Sequence, residues 1–162
     1  SRDNSPVVNI SWYEANAFCR WMRTITEQYY ELPHEAQWEK AARGTDGLIY
    51  PWGNEFDPDK CNTSEGKIGR ITDVTRHPQG SSPYGVIDMS GNVWEWTNSF
   101  YRPYVVSNTN VIRSDVSENE RIAKRGGSFN NDRFSATTFS RSASSPSERN
   151  NNLGFRVIVW QP

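Results

Sequence analysis

Asn92 and Glu95 stand three residues apart in the run Gly91-Asn-Val-Trp-Glu-Trp96. An Asn amide oxygen, a carboxylate and neighbouring backbone carbonyls are hard oxygen donors of the kind that calcium prefers. The stretch Asp57-Pro-Asp-Lys-Cys-Asn62 has the acidic look of a calcium loop. Cys61 and Asn62, however, stand where an EF-hand needs an oxygen donor and a glycine, so that motif is excluded. Asn62 keeps an amide oxygen that another geometry would use. Catalytic chemistry finds little to work with. His34 falls at a helix start and His77 in a proline-flanked loop, with no GxSxG motif beside either, so they read as a cap and a solvated loop residue. A phosphate loop and a GxGxxG turn are both missing from the sequence. Cys19 and Cys61 are the two cysteines, neither in a CxxC pair, which argues against zinc.

The final segment offers a different chemistry. Two well-formed ends, Arg125-Gly-Gly-Ser-Phe129 and Gly154-Phe-Arg156, enclose a stretch of Asn, Ser and scattered Arg with no hydrophobic period. Strand-like ends fix the backbone, while a polar interior with single aromatics, Phe134 and Phe139, presents side chains to a partner without collapsing into a core. The competing reading is an inert surface loop, although loops beyond about 12–15 residues are usually functional or disordered. Of Arg125, Arg133, Arg141, Arg149 and Arg156, most are expected to satisfy carbonyls and carboxylates of irregular backbone. Arg133, between Asp132 and Phe134, is the one expected to face a ligand.

The elements that must hold these residues are legible in part. Ser11-Trp-Tyr-Glu14 is a capping box, so a helix starts there and runs to about residue 27, with Ala15, Phe18, Cys19 and Met22 as its apolar face. On that face Cys19 is expected to be a buried free thiol. Pro33 to Arg43 reads as a second helix, capped by His34 and ended by Gly44. Beyond it come turn signals and short apolar runs, Gly85–Ile87, Asn92–Trp96, Phe129 and 155–160, which read as strands of a small, mostly antiparallel sheet. The polar run 107–120 reads as a loop. Helices first and strands later give an α+β fold.

At 162 residues the chain fits one domain, 1–162, with 125–156 as its distinctive segment. A hydrophobic share of 35% is low, but seven Trp, seven Tyr and seven Phe supply bulk for a core. A net charge of -1 with mixed signs leaves no footprint for nucleic acid. No apolar run reaches the roughly 20 residues of a membrane span, and the first residues lack a signal-peptide layout, so no membrane insertion is expected of this chain. Sparse cysteine use points to a reducing, cytoplasmic compartment. The sequence opens almost directly on an element, as the C-terminal part of a longer protein would. An upstream segment would then serve for surface display.

In these residues the chain resembles the formylglycine-generating enzyme (sulfatase-modifying factor) domain, a variant of the C-type lectin fold. The resemblance runs in order from Ser11-Trp12 and ELPHEAQWEKAARG through YPWGN, YGVIDMSGNVWEW and RGGSF to GFRV, nearly the whole chain. It implies an irregular α+β fold with two helices, a small antiparallel sheet and long ordered loops. It also implies a structural calcium held by Asn92 and Glu95, and a second site beginning at Asn62. Enzymatic members use two cysteines soon after the GGS block to bind copper and engage a substrate thiol; the matching positions here are Asn131 and Ala136. Amide and methyl groups supply no thiolate, so oxidase chemistry is expected to be absent. The family cysteine matching Cys19 pairs in some secreted members with a position that is Val157 here, which implies a reduced thiol.

The final segment more closely resembles the variable proteins of diversity-generating retroelements, in which adenines of Asn codons are randomised. Such codons yield Asn, Asp, Ser, Phe, Ala and Thr among others, but never Lys, Glu, Gln, Met or Trp. Between Asn130 and Asn152 only Glu148 belongs to the forbidden set. The resemblance implies a non-enzymatic binding domain whose surface is built from Asn131, Asp132, Arg133, Phe134, Ser135, Thr138, Phe139, Ser140, Ser142, Ser144 and Ser145. Its partner is expected to be a protein, since such a face approaches the roughly 800 Å² per side of a standard interface, and the EPN, QPD and WND sugar signatures are missing. No cofactor is required for that role, and no oligomeric state is implied. The alternative is a formylglycine-generating or related metal-dependent oxidase.

Overall fold

The structure is a computed structural model that describes residues 4–104 and 115–160. Helix α1, Trp12–Thr26, begins where the capping box requires: the Glu14 carboxylate accepts the Ser11 N–H at 2.8 Å, and Ser11 Oγ accepts the Glu14 N–H at 3.3 Å. It ends at Glu27, whose left-handed backbone stops the helical ladder. Trp12, Ala15 and Cys19 are buried. Phe18, expected among them, is instead 38% exposed and packs edge-on against Phe155 at the rim, with ring centroids 5.6 Å apart. Ala15 and Cys19 lie on the buried stripe as expected, Met22 is half-buried, and Trp12 takes the inward place expected of Phe18.

Strand β1, Tyr29–Glu31, leads to α2, Glu35–Arg43, capped by His34 and closed by Gly44 as expected. Five strands follow: β2 Trp94–Phe100, β3 Ile122–Arg125, β4 Arg141–Ser144, β5 Leu153–Phe155 and β6 Ile158–Trp160. The main sheet has the order β4-β3-β2-β5; β2–β3 and β3–β4 are antiparallel and β2–β5 is parallel. β1 and β6 form a separate antiparallel pair.

Central strand β2 is buried on both faces, which explains its near-continuous aromatic run. Trp12, Cys19, Leu32, Trp96, Ile122 and Leu153 make the main core, while Trp38, Ala42 and Met89 make a second one under α2. Each buried indole N–H retains a partner: Trp96 donates to Ile10 O and Trp12 to Thr97 O, both at 3.0 Å. Such pairing lets these large rings be buried without an orphaned donor.

Two expected strands are loops. Val86 N–H bonds Ser82 Oγ while its carbonyl takes the Ser82 N–H, closing a turn in place of the expected strand at 85–87. Phe129 N–H goes to Asn92 O outside any ladder. Within the expected loop 107–120, residues 107–114 lie outside the described residues, and 115–120 are without helix or strand.

Candidate functional site

β3 delivers the chain through Gly126 and Gly127 into the segment that returns as β4. Gly127 is needed there: its φ of +73° is left-handed, and a Cβ on it would meet the Ser135 carbonyl oxygen at 2.9 Å. From that point the segment is pinned through its own main chain. Ser64 N–H donates to Asn131 O at 2.9 Å, the Glu65 carboxylate accepts the Arg133 N–H at 2.9 Å, and Tyr50 OH donates to Arg133 O at 3.3 Å. Ser90 Oγ donates to Ala136 O, and Thr138 N–H to Ile49 O. Arg125 then donates to the carbonyls of Thr138 and Ser140. These bonds run to main-chain atoms of the segment and so do not depend on its exposed side chains.

The side chains divide by burial. Phe134 is 73% and Phe139 47% exposed, and Asp132 and Arg133 are exposed beside them. Arg133 pairs with Glu65 at 3.4 Å and lies 4.9 Å from the Phe56 ring centroid. Phe56 and Trp52 flank Tyr50, whose ring stacks on Trp52 at 5.3 Å. In the sequence, Tyr50 and Trp52 of this aromatic wall stand only in the YPWGN block, with Phe56 two residues beyond it. Ser135, Ser140, Ser142 and Ser145 are half-buried.

Three expected surface residues point inward. Thr138 is fully buried, its hydroxyl donating to Leu48 O at 2.6 Å. Ser144 is buried in β4 with its hydroxyl accepting from Lys124 Nζ at 2.8 Å. The half-buried Asn131 has its amide oxygen occupied by the Trp94 indole N–H at 2.8 Å and by the Ser128 hydroxyl. Thr138 and Ser144 are closed off from a partner, whereas Asn131 is half-buried with its amide oxygen taken.

Beneath the segment lies a buried ionic base. Arg125 is fully buried between Glu35, at 3.2 Å, and Glu39. Arg141 grips the same Glu35 carboxylate through two bonds of 2.6 and 2.8 Å. The expectation that most arginines are structural is met here and at Arg149–Glu14 and Arg156–Glu95.

Asn92 and Glu95 are engaged internally and do not fit calcium. The Asn92 amide oxygen accepts the Thr72 N–H at 3.0 Å and the Asn62 amide at 3.1 Å. Both Glu95 oxygens are held by Arg156, at 2.5 and 2.6 Å, and one also takes the Trp38 indole N–H. A cation there would have to displace a guanidinium. The Asn62 amide oxygen is buried without a hydrogen-bond partner, but one orphaned oxygen among atoms already accepting hydrogens is no cation cage.

Burial pushes the Cys19 thiol up to about 11 and the Cys61 thiol to about 12, so both are protonated at neutral pH. Ala136, at one position that the resemblance assigns to a copper-binding cysteine, is fully buried. With Asn131 at the other, the pair does not fit copper.

Residues 1–160 match the model of the sulfatase-modifying factor enzyme 1-like domain. The chain belongs to this family. Among its relatives, the mouse inactive C-alpha-formylglycine-generating enzyme 2 is 38% identical over 161 residues, covering 93% of this chain and 48% of the mouse protein. The formylglycine-generating enzyme of Streptomyces coelicolor is 32% identical over 175 residues, covering 96% of this chain and 52% of its own length. The chain thus spans about half the length of these curated relatives, and the family holds both active and inactive members. Among solved structures, Treponema denticola variable protein 1 superimposes with a TM-score of 0.84 at 20% identity, covering 97% of this chain and 72% of that one. The architecture is the α+β C-type lectin fold in the form this family gives it. No helix among the described residues is long and apolar enough to cross a membrane.

Proposed function

We propose that this family member is a non-enzymatic binding domain that presents a diversified surface, centred on Phe134 and Phe139, to a protein ligand. One observation carries the reading: the segment is held by main-chain bonds to residues outside it, while its two phenylalanines project into solvent. Phe134, at 73%, is the most exposed large hydrophobic side chain among the described residues. The two rings stand as rigid apolar anchors beside adaptable Ser and Asp, the division of labour found in antibody loops. The likeness in fold to a protein called variable supports the reading, as does the identity to an inactive member of an enzyme family.

Sequencing of the encoding locus tests it first. A neighbouring reverse transcriptase and a near-copy of the region for Arg125 to Arg156, mismatched at adenines, are expected; the absence of both would end the diversification claim. Binders selected from a displayed protein library against this chain should lose at least about tenfold in affinity on Phe134→Ala plus Phe139→Ala, roughly 1.4 kcal/mol, with the melting temperature unchanged. A large fall in melting temperature would assign the rings to packing. Copper-dependent oxidation of a cysteine-containing peptide by this chain would instead support the oxidase alternative.

A further inference from the structure

We propose that α2 and Tyr104 form a fixed subsite beside the diversified face, which takes an acidic side chain of the protein ligand. Copies differing in the variable segment would then share a preference for carboxylate-bearing partners. The proposal rests on the binding reading above and deepens it.

A shallow groove lined by Ala36, Glu39, Lys40, Arg43, Gly44 and Tyr104 opens on this side of the molecule, with none of its lining drawn from 125–156. It adjoins the variable face directly. The Arg43 guanidinium lies 5.8 Å from the Phe139 ring centroid, and Arg141, at the start of β4, lies 4.2 Å from that of Tyr104. A ligand anchored on Phe139 therefore reaches the groove without leaving the surface.

The groove's charge is unbalanced. Around it stand two carboxylates, Glu35 and Glu39, against the cations of Lys40, Arg43, Arg125 and Arg141. Glu35 is gripped by Arg125 and Arg141, and Glu39 by Arg43, at 2.7 Å, and Arg125. Lys40 is left over. No carboxylate among the described residues lies within ion-pair distance of it, and its ammonium sits 5.9 Å from the Tyr84 ring centroid. Tyr104, 57% exposed, adds an apolar wall. Lys40 is exposed, so its unpaired charge is open to an incoming anion, and the attraction is screened by salt. Lys40 and Arg43 line the groove from successive turns of one helix, and with Arg43 already held by Glu39 and the Gly47 carbonyl, Lys40 is the cation that an entering carboxylate meets.

The test uses a displayed library of random dodecapeptides without phosphate, panned on this chain in parallel with its Lys40→Glu variant. Peptides selected on the parent are expected to be several-fold enriched in Asp and Glu. They should bind Lys40→Glu at least tenfold more weakly, with the loss shrinking at high salt. Selected peptides without acidic enrichment, or with equal affinity for Lys40→Glu, would overturn the subsite. A selection that returns no binder would overturn it as well. The two readings separate on a third arm. If Phe134→Ala plus Phe139→Ala leaves every selected peptide bound while Lys40→Glu releases the acidic ones, the groove stands and the diversified face fails. If the double variant abolishes binding and Lys40→Glu changes nothing, the face stands and the groove fails.

Discussion

Asp88 shows how much a single half-buried group weighs on this fold. Its carboxylate accepts the Asn92 amide at 2.9 Å, yet burial pushes it up to about 6, with the nearby Glu95 charge adding and the Asn92 bond and Arg156 opposing. The folded-state value lies above the ordinary 3.8, so the folded form holds its proton more tightly than the unfolded chain does. Deprotonation therefore penalises the fold: the penalty is absent below about pH 4, grows through the interval up to about 6 and is complete at neutral pH. Asp88→Asn keeps an acceptor for Asn92 and tolerates the left-handed φ of 56° at this position. The variant is expected to be more stable than the parent by roughly 1–3 kcal/mol at pH 7.5, with the difference vanishing near pH 4. Urea unfolding at the two pH values measures this, and a difference that does not change with pH would refute the assignment to Asp88 ionisation.

At the scale of elements, β3, β4 and α2 act together through Arg125. Its guanidinium bonds the carbonyls of Thr138 and Ser140 while paired with two carboxylates of α2, so together with Arg141 it ties the variable segment to that helix. Arg125→Met should cost about 3–5 kcal/mol in urea unfolding, because it strands buried Glu35 with Arg141 alone and leaves two carbonyls short of a donor. A loss below 1 kcal/mol would show that Arg141 suffices. Local signals made the helices legible in the sequence: Ser11 and Glu14 bond each other across one turn, and Gly44 ends α2 by its own backbone. β4 was hidden because Arg141-Ser-Ala-Ser144 has no apolar alternation. Its strand state comes from pairing Lys124 with Ser142 and from an ion pair that joins Arg141 to Glu35 across 106 positions. Distant partners of that kind leave no local trace. The candidate site was legible to the same degree. Phe134 and Phe139 stood out by type within a polar run, whereas nothing in the sequence separates exposed Phe139 from buried Thr138 beside it.

At the scale of the molecule, burial divides the segment into positions that carry the fold and positions free to change, and diversification depends on that division. A library randomised at Arg133, Phe134 and Phe139 touches side chains that solvent already reaches. Most of its members should fold, with surface changes there worth within about 0.5 kcal/mol each. An equal library at Asn131, Thr138 and Ser144 removes hydrogen bonds to Trp94, Leu48 and Lys124 from enclosed sites. Each loss there should cost about 1–3 kcal/mol, and together they approach the whole stability of a small domain. Surface display of both libraries, followed by a protease challenge, compares the surviving fractions. The exposed library is expected to survive largely intact and the buried one to collapse to near-parental residues. Equal survival would mean that main-chain bonds alone hold the segment. The frame would then tolerate variation at all six positions, and a diversified surface would extend into what is here the foundation.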